Sequence, residues 1–274
     1  MNKNYGWCSD IHLDKLRRPE QFALFFDKIN DPKYNDGIFI TGDIALGNMI
    51  VEFLHAFEKA AANKKIWFVL GNHDYYNTSF KAMSNKLKKF DGQNSNCCYL
   101  TNKKQSVQLN DFTCLVGVDG WYDGKYAPFE NSKLLMKDDI DLIKEFKSLS
   151  TMNDFYSSCK QYSVEFAKKL ELQLQDAIEK NYKTVIVLTH VPPFKENSVY
   201  DGKQSDKDWL PFFSSKETGD VLLKFAKNNP FVNFRVFCGH SHGTAYYSPI
   251  MNLECKTSYA KYGYPTITET ITIE

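Results

Sequence analysis

The sequence predicts an α/β fold built around a mainly parallel sheet. Short apolar segments alternate with helical patterns over residues 3–70, which is the order found in βαβ units. The chain has 274 residues with only 14 Gly and 9 Pro, so it can bury a large core and is not of low complexity. We expect a single domain over residues 1–274, in which the segment 119–160 is a candidate for a small cap or insertion.

The N-terminal elements follow from apolar spacing. Residues 3–9 are partly aromatic and suit a first strand, and Pro19 is typical of the first turn of a helix. Residues 37–40 and 66–70 are short apolar runs that suit buried strands. Two apolar stripes at helical spacing lie between these strands, namely Phe22, Phe25, Phe26 and Ile29, and then Ile50, Leu54, Phe57 and Ala61.

The later elements are shorter strands around one long helix. Helical spacing extends to about Lys180 after a less regular stretch over residues 131–158. Alternation of apolar and polar residues predicts a half-buried strand over 253–259 and a last strand over 267–273. The remaining predicted elements are strands over 97–100, 107–109, 112–118, 184–188 and 234–238, a polar loop over 194–216 and a helix over 218–227.

Charge and composition narrow the class of protein. Lys and Arg total 34 against 33 Asp and Glu, so the net charge of +1 does not favour nucleic acid or an anionic membrane as a partner. No apolar run reaches the length of a spanning helix, and the first residues lack a signal-peptide core. Seven Cys in a chain without an export signal are expected to be reduced thiols. No CxxC pair is present, so a Cys-rich zinc site is not expected. We therefore expect a cytoplasmic protein that does not bind membranes.

Five predicted strands end at residues that can bind metal ions. These residues are Asp10 and His12, Asp43, Asn72 with His73 and Asp74, His190, and His240 with His242. Ligands of α/β sheets bind outside the carboxyl ends of the strands, so we expect these side chains to converge. Leaving aside His73 and Asp74, three oxygen donors and four imidazoles are more than one ion needs. They suit two divalent ions of borderline softness, such as Mn, Fe, Zn or Co.

These motifs resemble a known family. Asp10-x-His12, Gly42-Asp43, Gly71-Asn-His-Asp74, the strand-end His190 and Gly239-His-x-His242 resemble, in the same order, the five signature motifs of the calcineurin-like metallophosphoesterases. The motifs span residues 10–242, which is most of the chain. The resemblance implies a four-layer α/β/β/α sandwich of two facing mixed sheets flanked by helices.

The resemblance also implies a division of roles. It implies a first metal held by Asp10, His12, Asp43 and His242, and a second metal held by Asp43, Asn72, His190 and His240. Asp43 would bridge the two ions, and a hydroxide bridging them would attack the phosphorus atom. His73 would contact the phosphoryl oxygen or the leaving group, and Asp74 would orient His73.

The expected activity is hydrolysis of a small soluble phosphate ester, with phosphodiesters slightly favoured over monoesters. Gly42-Asp43 is followed by Ile-Ala-Leu-Gly and not by Asp-Arg-Gly, and no Glu replaces Asp74, which sets the chain apart from the Ser/Thr protein phosphatases of this superfamily. A nuclease that uses the same two-metal site is the alternative function, and a non-catalytic scaffold on this fold is a third. The aromatic residues of segments 119–131 and 194–216 either line a substrate pocket or pack within their loops.

Overall fold

The computed structural model describes residues 2–61, 64–91 and 95–274. Its first sheet has the strand order β13-β1-β2-β3-β4. Four strands are parallel, and β13 joins the edge antiparallel to β1. The strands are β1 (Lys3–Cys8), β2 (Gly37–Thr41), β3 (Ile66–Val69), β4 (Cys97–Tyr99) and β13 (Glu269–Ile273).

The second sheet has six strands in the order β11-β12-β10-β7-β6-β5. Its four central strands are parallel, and an antiparallel strand lies at each edge. The strands are β5 (Val107–Gln108), β6 (Thr113–Gly117), β7 (Thr184–Leu188), β10 (Asn233–Cys238), β11 (Ala245–Ile250) and β12 (Leu253–Thr257). A separate hairpin is formed by β8 (Val199–Tyr200) and β9 (Lys203–Gln204).

Helices cover the outer face of each sheet. The longest helix, α6, begins with a capping box in which Thr151 and Asp154 exchange hydrogen bonds, and this arrangement satisfies free N–H groups of the first turn. The helices are α1 (Pro19–Ile29), α2 (Ile50–Ala60), α3 (Phe80–Asp91), α4 (Lys137–Leu142), α5 (Lys144–Lys147), α6 (Met152–Glu179) and α7 (Lys216–Asn228).

Side-chain alternation along the strands explains why the two sheets face each other. In β2, Ile38 and Ile40 belong to the core under the helices, whereas Phe39 belongs to a separate core between the sheets. Between the sheets, the ring of Trp7 in β1 meets the ring of Phe237 in β10 edge-on, with centroids 4.9 Å apart. Both faces of each sheet are therefore apolar, as parallel strands require. The α/β class and the four-layer sandwich are confirmed.

The differences from the predicted elements lie away from the central strands. The strand β11 was not predicted, because its tyrosines alternate with no buried apolar face and its residues are half-buried or exposed. The predicted loop over 194–216 contains the β8–β9 hairpin. The segment 119–160 forms α4, α5 and the first turns of α6, and its Phe146 and Phe155 are buried in the main core.

Two further features concern the cysteines and the length and polarity of the helices. The seven Cys are free thiols in the structure, and six of them are buried. None of the helices over residues 2–61, 64–91 and 95–274 is long and apolar enough to span a bilayer.

Candidate metal centre

The predicted metal ligands lie together at the carboxyl ends of parallel strands. They occupy the loops after β1, β2, β3, β7 and β10. Backbone hydrogen bonds join these loops: the Asp10 N–H donates to the Gly42 carbonyl at 3.0 Å, and the His12 N–H donates to the Asp43 carbonyl at 2.9 Å. The Gly239 N–H donates to the His190 carbonyl at 2.9 Å, which joins loops of the second sheet.

The backbone is left-handed at five of the predicted ligands. The φ angles are 49° at Asp10, 40° at His12, 50° at Asp43, 69° at His240 and 60° at His242. Such angles are uncommon for residues other than Gly and cost on the order of 1–3 kcal/mol each when the surrounding fold imposes them. Backbone strain is thus concentrated in these loops, where it aims side chains of neighbouring loops at one point.

Four side chains form a compact group of possible ligands. Asp10, His12, Asp43 and His242 each offer a ligand atom, and these atoms lie within 4.8 Å of one another. His242 Nε2 is 3.3 Å from Asp10 Oδ1, and His12 Nε2 is 3.7 Å from Asp43 Oδ2. The two imidazole Nε2 atoms of His12 and His242 are 3.4 Å apart. These are the four residues expected to hold the first metal.

Asp43 also faces the residues expected to hold the second metal. Its Oδ1 lies 3.5 Å from His190 Nε2 and accepts a hydrogen bond from the His73 N–H at 3.0 Å. Its Oδ2 lies 3.9 Å from His73 Nε2. The Asp43 carboxylate is buried and lies between the two predicted ligand sets.

Backbone carbonyls orient the imidazoles of the second set. His190 Nδ1 lies 2.8 Å from the Thr41 carbonyl, which leaves Nε2 directed at Asp43. His240 Nε2 lies 2.9 Å from the Phe212 carbonyl, and the Phe213 ring stacks on the His240 ring at 4.4 Å. Each ring uses one nitrogen for a protein contact, and the other remains for a ligand.

The third member of the second set, Asn72, is oriented by a carboxylate from α4. Its Nδ2 donates to Asp139 Oδ1 at 2.9 Å and contacts the Tyr76 hydroxyl at 3.0 Å. Asp139 also accepts hydrogen bonds from the hydroxyls of Tyr76 at 2.6 Å and Tyr122 at 2.5 Å. The amide nitrogen is therefore fully engaged, and Asn72 Oδ1 points the other way.

Two glycines let the loops approach the centre. A Cβ at Gly71 would lie 2.6 Å from His190 Nε2 and would also collide with Asp43 Oδ1. A Cβ at Gly239 would collide with Ser9 Oγ and Asp10 Oδ2. Only a residue without a side chain leaves these donor atoms where they are.

Burial keeps most of the imidazoles neutral. It lowers the pKa of His190 and of His240 to about 4 and that of His73 to about 3. Burial and the neighbouring Asp10 raise the pKa of Asp43 above its ordinary value. Neutral imidazole is the form that coordinates a metal ion.

The partners of Asp74 differ from the expected ones. Its Oδ1 accepts the N–H groups of Ile44 at 2.8 Å and Ala45 at 2.9 Å, and its Oδ2 accepts the Gly71 N–H at 2.8 Å. No hydrogen bond joins Asp74 to His73 among the described residues, so the expectation that Asp74 orients His73 is wrong. Both carboxylate oxygens are engaged in joining the loops after β2 and β3.

The aromatic residues of segments 119–131 and 194–216 differ in burial. Trp121, Tyr122 and Asp123 are at most 1 % exposed, so they pack within the fold and do not line an open pocket. In segment 194–216, Tyr200 and Trp209 are exposed, whereas Phe212 and Phe213 contact His240.

Sequence reasoning missed Asp139 and the Phe212 carbonyl. Asp139 lies in the run Lys-Asp-Asp-Ile-Asp, where nothing distinguishes it from its exposed acidic neighbours. The Phe212 contact is made by the backbone, so no residue type signals it.

A protein-family model for calcineurin-like phosphoesterases matches residues 4–244. The chain belongs to this family. The same fold is found in solved structures: a dimetal phosphatase from Danio rerio aligns with a TM-score of 0.53 and 14 % identity over 99 % of this chain and 98 % of that one. The protein TT1561 of Thermus thermophilus aligns with a TM-score of 0.52 and 11 % identity over 94 % of this chain and 90 % of that one.

A curated relative comes from a virus. An uncharacterized protein of Acanthamoeba polyphaga mimivirus is 23 % identical over 250 residues, which are 87 % of this calcineurin-like phosphoesterase and 84 % of the relative. The family is one of phosphoesterase hydrolases, and the compact group of Asp10, His12, Asp43 and His242 is a candidate site for divalent metal.

The residues present fit such ions. Asn72 Oδ1 and His190 Nε2 are buried and have no hydrogen-bond partner among the described residues. Leaving buried polar atoms unpaired costs about 1–3 kcal/mol each, and a cation placed between them removes that cost. Oxygen and imidazole donors together are the set that borderline divalent metals prefer.

Proposed function

We propose that this calcineurin-like phosphoesterase hydrolyses a phosphate ester of a small substrate with the help of two divalent ions. The observation that carries the proposal is the set of buried donor atoms without protein partners, Asn72 Oδ1 and His190 Nε2, beside a compact group of four further ligands. Such a pair of ions supplies an attacking water of lowered pKa and neutralises charge on the phosphoryl oxygens.

The proposed ligands fall into two sets that share one carboxylate. The first set is Asp10, His12, Asp43 and His242, and the second is Asp43, Asn72, His190 and His240. Asp43 belongs to both because its two oxygens face different imidazoles, Oδ1 facing His190 and Oδ2 facing His12. Imidazole-rich sets with carboxylates favour Mn, Fe, Zn or Co over Mg or Ca.

His73 is the proposed catalytic residue of the protein. It belongs to neither ligand set, yet its Nε2 lies 3.9 Å from Asp43 Oδ2 and its side chain is 17 % exposed. Its ring packs against those of His12 and Tyr76, with centroids 4.7 Å and 4.5 Å away. An imidazole held beside the reacting group donates a hydrogen bond to a phosphoryl oxygen or to the leaving oxygen.

Charge near the centre supports diesters as the preferred substrates. Among residues 2–61, 64–91 and 95–274, no Lys or Arg lies within 4.0 Å of a carboxylate oxygen of Asp10 or Asp43. A monoester brings up to two negative charges and a diester only one, so a centre with no Lys or Arg in direct contact with these carboxylates is better matched to the diester.

The test compares two chromogenic esters. Metal-free protein is loaded with Mn²⁺, its metal content is measured, and hydrolysis of bis(p-nitrophenyl) phosphate is compared with that of p-nitrophenyl phosphate. We expect about two ions per chain and a larger kcat/KM for the diester. Protein that stays metal-free and inert after loading would contradict the proposed function, and a larger kcat/KM for the monoester would contradict the diester preference alone.

A further inference from the structure

A groove opens beside the first set of proposed ligands. It has a volume of about 710 Å³, which is within the usual range for small-molecule sites, roughly 300–1,000 Å³. Its wall nearest the centre is Tyr262, whose ring centroid lies 4.5 Å from that of His12 and 5.1 Å from that of His242. The other principal lining residues are Lys15, Arg17, Arg18, Gln21 and Tyr264.

Both walls of the groove are anchored to proposed metal ligands. On one side, the Lys15 N–H donates to the His12 carbonyl at 2.9 Å. On the other side, the Ala260 N–H donates to the His242 carbonyl at 3.2 Å, just before the tyrosines. The groove is therefore continuous with the loops that carry His12 and His242.

One side chain joins the two walls. Gln21 Oε1 accepts the N–H groups of Arg17 and Arg18, each at 3.1 Å. Gln21 Nε2 donates to the Gly263 carbonyl, between the two tyrosines, at 3.0 Å. The turn that carries Arg17 and Arg18 and the loop that carries Tyr262 and Tyr264 are thus held in place relative to each other without a ligand. A preorganised site of this kind loses less entropy on binding.

The lining combines cations and aromatic rings. Arg17 and Arg18 are exposed, and neither makes an ion pair with any residue that the structure describes. Lys15 pairs with Asp14 at 3.2 Å, the one carboxylate in the lining. Lys261 lies 5.0 Å from the centre of the Tyr264 ring and adds a further cation. Arginine pairs well with phosphate, and tyrosine rings stack on planar groups.

We propose that this groove binds the organic part of the substrate, and that this part carries a planar aromatic group and a second phosphate. The aromatic group packs against Tyr262 and Tyr264, and the second phosphate pairs with Arg17 and Arg18. A nucleoside that bears an additional phosphate has this chemistry. The inference rests on the proposed function, since it names the substrate class of the same centre.

The experiment uses three diesters with the same leaving group. They are methyl p-nitrophenyl phosphate, thymidine 5′-(p-nitrophenyl phosphate) and the 3′-phosphate of the latter. In each case the oxygen of water bonds to phosphorus, the bond from phosphorus to the nitrophenyl oxygen breaks, and p-nitrophenolate leaves while a proton goes to solvent. The second ester adds a planar base and the third adds the second phosphate.

We expect kcat/KM of the Mn²⁺-loaded protein to rise at each step of this series. The second phosphate should raise it by about tenfold, the effect of one charge-assisted contact. The variant Arg17→Gln/Arg18→Gln should remove that last increase. The variant Tyr264→Leu should reduce the increase due to the base by about fivefold or more.

A matched control removes the same charge elsewhere. Lys86→Gln/Lys88→Gln takes two exposed cations from α3, away from the groove, and should leave all three rates as they are. Equal losses in this control and in Arg17→Gln/Arg18→Gln would show a general effect of charge and overturn the inference. A series with equal kcat/KM for the three esters would overturn it as well.

Binding separates failure of the inference from failure of the proposed function. Calorimetry measures the affinity of thymidine 3′,5′-bisphosphate and of thymidine 5′-monophosphate for the Mn²⁺-loaded protein. A preference for the bisphosphate that disappears in Arg17→Gln/Arg18→Gln supports the groove even if no ester is hydrolysed. Equal affinities would overturn the groove even if all three esters are hydrolysed.

Discussion

The two halves of the candidate metal centre are positioned by different means. In the first half, Asp10, His12, Asp43 and His242 all have left-handed backbone, with φ between 40° and 60°. In the second half, side-chain direction comes from partners elsewhere in the chain. Asn72 is held by Asp139 of α4.

The imidazoles of the second half are also oriented by hydrogen bonds to other parts of the chain. His190 is held by the Thr41 carbonyl and His240 by the Phe212 carbonyl. All four residues of the first half have left-handed backbone, whereas in the second half only the shared Asp43 and His240, at φ 69°, have it. A strained backbone persists only where the surrounding structure over-determines it, so the first half is positioned mainly by its backbone. The second half depends on separate hydrogen bonds, each of which can be removed singly. The two halves should therefore respond unequally to substitution.

The largest effect is expected at Asp43, which both halves share. Asp43→Ala removes a ligand from each proposed set, so it should abolish binding of both ions. Hydrolysis should fall by more than about 1,000-fold, because bound metal contributes several kcal/mol of transition-state stabilisation. Elemental analysis with a nitrophenyl ester assay checks this, with exposed Asp111→Ala as the control. Retention of two ions per chain by Asp43→Ala would refute the sharing of this carboxylate.

A smaller effect is expected at His73, which lies in neither set. His73→Gln should retain both ions but lower kcat by about 100- to 1,000-fold, the usual range for a group that stabilises the transition state. The control is His55→Gln, at the His outside the motifs, whose side chain pairs with Glu58 on α2. If metal content falls together with kcat in His73→Gln, the residue is a ligand and the proposed division of roles is wrong.

Asp139 tests whether the halves can be separated. Asp139→Asn removes the carboxylate that fixes the Asn72 amide, so it should weaken one metal site by about 10- to 100-fold and leave the other unchanged. Calorimetric titration of metal-free protein with Mn²⁺ measures both affinities. Asp141→Asn, an exposed position of the same helix, is the matched control, and thermal unfolding of both variants monitors stability. Equal weakening of both sites would show that Asp139 supports the fold and not Asn72.

The smallest effect concerns a buried carboxylate outside both halves. Burial raises the pKa of Asp123 to about 6 from the ordinary 3.8, so ionisation is disfavoured in the folded protein. As pH rises from about 4 to 6, the unfolded chain ionises first and this group lowers the free energy of unfolding by about 2–3 kcal/mol. Above pH 6 the loss is constant.

The variant Asp123→Asn isolates this contribution. Its free energy of unfolding relative to the wild type should increase over this interval, as measured by urea denaturation at several pH values. A difference between the two proteins that does not change with pH would contradict the raised pKa.

Sequence reasoning predicted the central strands well because their pattern is strong. The apolar run 66–70 ends directly at Gly71-Asn72, and the run 37–40 ends one residue before Gly42-Asp43. Each motif marks both a strand end and a candidate ligand. Edge strands such as β11 carry half-exposed tyrosines and give no such signal. The formation of an edge strand depends on hydrogen bonds to the neighbouring strand in the folded sheet.

The same contrast applies to the site. Asp10, Asp43 and His242 stand in recognisable motifs, whereas the support of Asn72 by Asp139 spans 67 positions of the chain. Such a contact arises from tertiary packing and cannot be derived from local spacing. Asp74 shows the converse, since its motif position predicted contact with His73 and the fold uses it to hold backbone N–H groups.

The central claim is tested most directly by crystals of the protein grown with Mn²⁺. Anomalous scattering should show two peaks. One should be bound by Asp10, His12, Asp43 and His242, and the other should contact Asn72 and His190, with Asp43 between the peaks. A single peak, or two peaks that leave Asn72 Oδ1 without a metal contact, would contradict the account.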